Sequence, residues 1–191
     1  MKQIVLIHPG IFETRFHFQR LIKMLEREGF EVEIHKCWAK SNTKLKSDFD
    51  ISHSGGYICP HYKAAKTKKI AFAPTTASSF AVLLEFIPKT IKDIKLYDFK
   101  FRILKPSLSL KEAIFNIFYW SGLIKSYLKI NKEFKINDNE LFVYHDNDGF
   151  SSLRNLSSPE KSINQPGLHD EILNNPSMFK VLILNFLKNL S

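Results

Sequence analysis

Three consecutive runs at the start of the chain constrain its fold more than anything after them. Lys2–Ile7 is short and β-branched, and it stops at His8-Pro9-Gly10, as a buried parallel strand does when it runs into a loop. From Phe16 to Glu28 the apolar residues Phe18, Leu21, Ile22 and Leu25 recur at helical spacing between Lys and Arg, and Gly29 stands where a helix ends. Phe30–His35 is a second strand-like run. Strand, helix and strand within about 30 residues make a βαβ unit, which predicts a parallel sheet with a right-handed crossover and places the chain in the α/β class.

The pattern continues through two further strands, Asp48–Ser52 and Lys69–Pro74, with Gly56–Ala65 read as helical between them despite Pro60. The polar stretch Cys37–Ser47 leaves room for only a stunted helix before the third strand. Between Thr75 and Ile136 no parallel strand is clear. Two Phe-rich stretches, Phe80–Ile87 and Leu110–Leu128, are separated by Pro88 and Pro106 and read as an inserted helical cap over about residues 75–136. The sheet resumes at Glu140–Tyr144, Asp146–Pro166 reads as a loop, and Ser177–Leu190 closes the chain as an amphipathic helix. A length of 191 residues fits one domain, and 44% hydrophobic residues with 17 phenylalanines supply an ample core.

Charge and cysteine content set the compartment and the partners. Lys and Arg number 28 against 19 Asp and Glu, a formal net charge of +9. That excess suits an acidic carrier protein or an anionic lipid surface, but most of the lysines are dispersed as a solvated face, and no nucleic-acid partner is expected. Two cysteines form neither a CxxC pair nor a disulfide framework, and no apolar run reaches the roughly 18 to 20 residues of a membrane span. With no signal peptide at the first strand, the expected location is the cytoplasm.

The most chemical stretch is Asp50-Ile51-Ser52-His53-Ser54-Gly55-Gly56, a strand entering small-x-Ser-x-small and then a helix. A serine at such a turn is held in an unfavourable backbone conformation, and small residues on either side let strand and helix approach. The turn lifts the Ser54 hydroxyl clear of the sheet and aims the Gly55 amide where negative charge develops during acyl transfer. Further on, the strand Leu141–Tyr144 is followed by His145-Asp146-Asn147-Asp148-Gly149, and His169 stands in the turn Pro166-Gly167-Leu168-His169 before the final helix.

Taken together, four segments in order resemble the α/β-hydrolase family: Ile4-Val5-Leu6-Ile7-His8-Pro9-Gly10, Ser52-His53-Ser54-Gly55-Gly56, Val143-Tyr144-His145-Asp146-Asn147-Asp148 and Pro166-Gly167-Leu168-His169. The resemblance implies an α/β-hydrolase fold, a mostly parallel sheet flanked by helices, and a catalytic set of Ser54 as nucleophile, His169 as base and Asp148 as acid, with Asp146 the alternative acid. It places the oxyanion hole at the amides of Gly55 and of Gly10 or Ile11. Ser52 in place of glycine, Pro9 between His8 and Gly10, and the abbreviated helix before the third strand depart from the family pattern. The implied activity is hydrolysis of an ester or thioester of a small-molecule or carrier-bound acyl group, with Phe80, Phe86, Phe118 and Trp120 lining an apolar pocket beneath the cap and no cofactor. His8 is expected to be a buried hydrogen-bonding group, and His53 to point away from Ser54. His35 and Cys37 have a His-x-Cys spacing with no further ligand near in sequence, so no metal is expected. Two other readings fit parts of the pattern: a nucleotide-sugar-binding half-domain, and a hydrolase-like scaffold that binds without catalysis. The first leaves Asp148 and His169 unexplained, and the second leaves the complete catalytic set unused.

Overall fold

The computed structural model describes residues 2–10, 13–35, 46–74, 114–115, 117–122, 136–145, 148, 161–167 and 169–188. Six strands, β1 (Ile4–His8), β2 (Glu31–Ile34), β3 (Phe49–His53), β4 (Lys68–Phe72), β5 (Glu140–Tyr144) and β6 (Ser162–Asn164), form one sheet in the order β2-β1-β3-β4-β5-β6. Every neighbouring pair is parallel. The chain steps outward from β1 to β2, returns past β1 to β3, and then proceeds in the other direction. Strand order therefore reverses between β1 and β3, and in an open parallel sheet the crevice beyond the carboxyl ends at such a reversal is where ligands bind.

Alternation along the strands divides the core between the two faces of the sheet. Ile70 and Phe72 of β4 and Val143 of β5 join one cluster, while the intervening Ala71 and Phe142 join the other. The first cluster is covered by α1 (Gln19–Arg27), through Leu21, Ile22 and Leu25, and by the carboxyl-terminal elements α3 (Glu171–Asn174) and α4 (Lys180–Lys188). The expected apolar stripe of α1 is thus buried, together with Phe18 just before it. α1 ends at Gly29, whose φ of +92° is a left-handed conformation that glycine adopts without a Cβ penalty. The second cluster gathers Tyr57, Ile58, Cys59, Tyr62, Trp120 and Ile136 over the opposite face.

The structure corrects the expected boundaries in three places. Gly56–Ala65 is not one helix: a 3-10 turn, Ser54–Ile58, gives way to α2 (Pro60–Ala64), because Pro60 has no amide to extend the turn and can begin a helix only at its first position. The closing helix likewise starts as a 3-10 turn, Pro176–Phe179, and becomes α-helical at Lys180. Within the expected loop Asp146–Pro166 lies β6, which pairs with β5 through Phe142–Ser162, Val143–Ile163 and Tyr144–Asn164. Most of the expected cap lies outside the described residues; within it, 117–122 is helical and carries the buried Trp120. Among the described residues, no helix is long and apolar enough to cross a membrane.

Candidate active site

β3 delivers Ser54 at the reversal of strand order. His53 is still extended, with φ −129° and ψ 137°, and the next residue, Ser54, turns to φ 51° as the 3-10 turn begins. A non-glycine residue there is held in a sparsely populated left-handed conformation, which persists only where the surroundings impose it. The surroundings are identifiable. A Cβ on Gly56 would lie 2.0 Å from the carbonyl oxygen of His8 and 3.0 Å from that of Pro9, so the turn that begins at Ser54 presses its Gly56 backbone against the end of β1. The small residue that the sequence requires two positions beyond the serine is therefore needed for contact with a neighbouring strand. Ser52, two positions before, is fully buried.

The end of β1 contributes Gly10. A Cβ there would stand 3.0 Å from the Ser54 Cβ and 3.2 Å from the Gly55 nitrogen, so the absence of a side chain leaves room beside both groups. The Gly10 amide, one of the two alternative oxyanion donors expected beside Gly55, donates to Glu13 Oε2 at 2.6 Å. Ile11, the other expected donor, lies outside the described residues.

Asp148 and His169 come together as the resemblance implies, with His169 Nδ1 2.8 Å from Asp148 Oδ2. Asp148 is buried and His169 is partly exposed, so the imidazole keeps one edge towards solvent while its inner nitrogen is held by a shielded carboxylate. Asp146 lies outside the described residues. Among the described residues no hydrogen bond joins the Ser54 hydroxyl to His169; the turn at Ser54 and the histidine turn are linked through His53. The buried His53 side chain places Nδ1 2.7 Å from Glu13 Oε1 and Nε2 3.0 Å from the main-chain oxygen of His169. Both partners are oxygens, so each ring nitrogen of His53 faces one, and the ring bridges Glu13 to the histidine turn. Glu13 thus holds the loop after β1, which also carries Gly10, to the end of β3 and, through His53, to the histidine turn. Sequence reading missed Glu13 because the partners lie far apart in the chain.

On the other side of the strand ends, His8 and Asp50 form a second buried pair, Nε2 to Oδ1 2.7 Å. Burial opposes protonation of His8, but its interactions with neighbouring Asp50 and Cys59 outweigh burial and raise its pKa above the ordinary imidazole value. Burial likewise pushes Asp50 upward, and hydrogen bonds from His8, Thr67 and Ser47 together bring it below the usual carboxylate range. Of the expected pocket residues, Trp120 packs within the second core cluster and Phe118 is 73% exposed; Phe80 and Phe86 lie outside the described residues. Among the described residues, two side-chain groups have the composition to hold a metal ion: His53, His169 and Asp170 within this site, and His8, His35 and Cys59 beside it.

No protein-family model and no curated protein matches the sequence. Solved structures do. An epoxide hydrolase from Vigna radiata aligns with a TM-score of 0.55 at 14% identity, over 100% of this chain and 92% of its own. A carboxylesterase structure from the thaumarchaeon Nitrososphaera gargenis gives 0.54 at 12%, over 97% and 90%. The NocB thioesterase domain, in covalent complex with a fluorophosphonate nocardicin G analogue, gives 0.54 at 7%, over 98% and 96%. With the parallel sheet and its strand order, these alignments establish that the chain has the α/β-hydrolase fold.

Proposed function

We propose that this chain is a member of the α/β-hydrolase family and a serine hydrolase, cleaving a carboxylic ester or thioester through Ser54, His169 and Asp148. The observation that carries the reading is the left-handed backbone of Ser54, φ 51°, at the carboxyl end of β3 beside the strand-order reversal. Strain of this kind clusters at active sites, and Ser54 is, of the two non-glycine residues with positive φ among the described residues, the one with a nucleophilic side chain, the other being Ala73. A fold of this type hosts many chemistries, so the assignment rests on the site and not on the neighbours.

In the proposed reaction His169 takes the Ser54 proton through its outer nitrogen as the hydroxyl oxygen attacks the acyl carbonyl. Asp148, 2.8 Å from Nδ1, fixes the tautomer and stabilises the imidazolium. The tetrahedral oxyanion is received by the Gly55 amide, with the Ile11 amide as the second donor now that Gly10 is engaged by Glu13. Collapse expels the alcohol or thiol, protonated by His169, and leaves an acyl-enzyme. Water activated by the same imidazole then releases the acid. No cofactor enters this chemistry. The acyl group is a small-molecule or carrier-bound one, held under a cap formed within residues 75–136. Hydrolysis of p-nitrophenyl esters from acetate to palmitate, by the wild type and by Ser54→Ala, tests the reading: turnover by the wild type that is lost in the variant is expected, and equal turnover by the two proteins contradicts it.

A further inference from the structure

His8, His35 and Cys59 come from three separate elements: the last residue of β1, the residue after β2, and the junction between the 3-10 turn and α2. One potential ligand atom from each lies within 4.8 Å of the other two. Cys59 Sγ and His35 Nδ1 are 3.7 Å apart. Zinc bonds of roughly 2.3 Å to sulfur and 2.0 to 2.1 Å to nitrogen, at a tetrahedral angle, put the two ligand atoms about 3.6 Å apart. The pair already has the separation that one ion requires.

His8 supplies the second reason. Its Nε2 is taken by Asp50 at 2.7 Å, the arrangement in which a carboxylate fixes the tautomer and orientation of a metal-bound imidazole. Its other nitrogen, Nδ1, is buried with no hydrogen-bond partner. A buried ring nitrogen without a partner is costly, and a metal ion can use its lone pair. Around the same point the imidazole of His61 lies 4.7 Å from that of His35 and 5.8 Å from that of His8, ring centre to ring centre. Three imidazoles and a thiol thus crowd together with Asp50 as the one carboxylate bonded to any of the three rings among the described residues.

We propose that His8, His35 and Cys59 form a binding site for a divalent zinc-class cation that joins the ends of β1 and β2 to the start of α2. Two imidazole nitrogens and one sulfur select a borderline-soft ion over magnesium or calcium, which take oxygen ligands. On binding, the Cys59 thiol releases its proton to solvent and the thiolate sulfur bonds the ion; no redox change is involved. Three protein ligands leave a fourth position for water. Cys59 and His8 are fully buried while His35 and His61 are half-buried, so an ion enters from the His35 and His61 side. The site is separate from the Ser54, His169 and Asp148 set, and its role is to clamp the turn that carries Ser54 to the edge of the sheet.

Full-length protein stripped with a chelator and then dialysed against zinc is expected to retain one equivalent per chain and to melt at a higher temperature than the metal-free form. With cobalt(II) the same protein should show thiolate-to-metal charge-transfer absorption, which disappears in Cys59→Ser. His35→Ala, at a half-buried position that tolerates truncation, should weaken zinc binding by about tenfold or more while circular dichroism stays native. Retention of no zinc by the wild type, or retention of one equivalent with unchanged affinity by both folded variants, overturns the proposal.

Discussion

Gly56→Ala is the substitution whose consequence the structure defines most sharply. The added methyl carbon would sit 2.0 Å from the His8 carbonyl oxygen and 2.8 Å from its carbonyl carbon, so the two backbones must part by about 1 Å before even the shortest tolerable contact is reached. Neither can move alone. His8 is in register with Ser52 on β3 and Ile7 is paired with both Ile34 and Ile51, so displacing the end of β1 breaks ladder hydrogen bonds on two sides. Overpacking against flexible side chains costs about 1–3 kcal/mol, and a clash between two fixed main chains belongs above that, at about 4 kcal/mol. For a domain of this size the loss lowers the melting temperature by roughly 8–16 °C. The control is Gly29→Ala. Gly29 has φ +92° but nothing within 4 Å of an added Cβ, so only backbone strain of about 1–2 kcal/mol is at stake. Urea denaturation and thermal melts of the two variants should differ accordingly. A Gly56→Ala protein no less stable than Gly29→Ala would refute the contact between the serine turn and β1, and with it the explanation of why Ser54 is strained.

Two other substitutions probe the same construction. Ser54→Gly relieves a left-handed backbone worth about 1–2 kcal/mol and adds about 0.5–1 kcal/mol of unfolded-state entropy, so it should exceed Ser54→Ala in stability by about 0.5–1 kcal/mol while both lack esterase turnover; chemical denaturation of the pair measures the difference. Glu13→Ala removes the buried carboxylate that accepts from the Gly10 amide and holds His53 Nδ1, leaving both nitrogens without that partner; a loss of about 2–3 kcal/mol is expected in urea melts, with Glu13→Asp, too short to reach both partners, also destabilised.

What could be read in the sequence follows from the range of the interactions involved. The βαβ start was legible because α1 and the strands flanking it carry their burial in residue periodicity, a local signal. The tight turn at Ser54 and the meeting of Asp148 with His169 were legible because the order of these segments along the chain and the turns that hold them are local patterns too. β6 was not: a three-residue strand, Ser-Ile-Asn, at the edge of the sheet has no apolar run to betray it. The Glu13, His53 and His169 link was hidden for another reason, since it is made by tertiary contact between loops distant in sequence, and Glu13 looked like any charged residue before a helix. His35 and Cys37 drew attention by their spacing, yet the structure pairs His35 with Cys59, across the sheet edge.

Covalent labelling by a fluorophosphonate, followed by peptide mass analysis, reads out the proposed Ser54 nucleophile itself. One phosphonyl adduct per chain is expected, located on Ser54, abolished in Ser54→Ala and slowed by His169→Ala, with native circular dichroism in both variants. An adduct formed equally well in Ser54→Ala, or none formed by the folded wild type, would contradict the account.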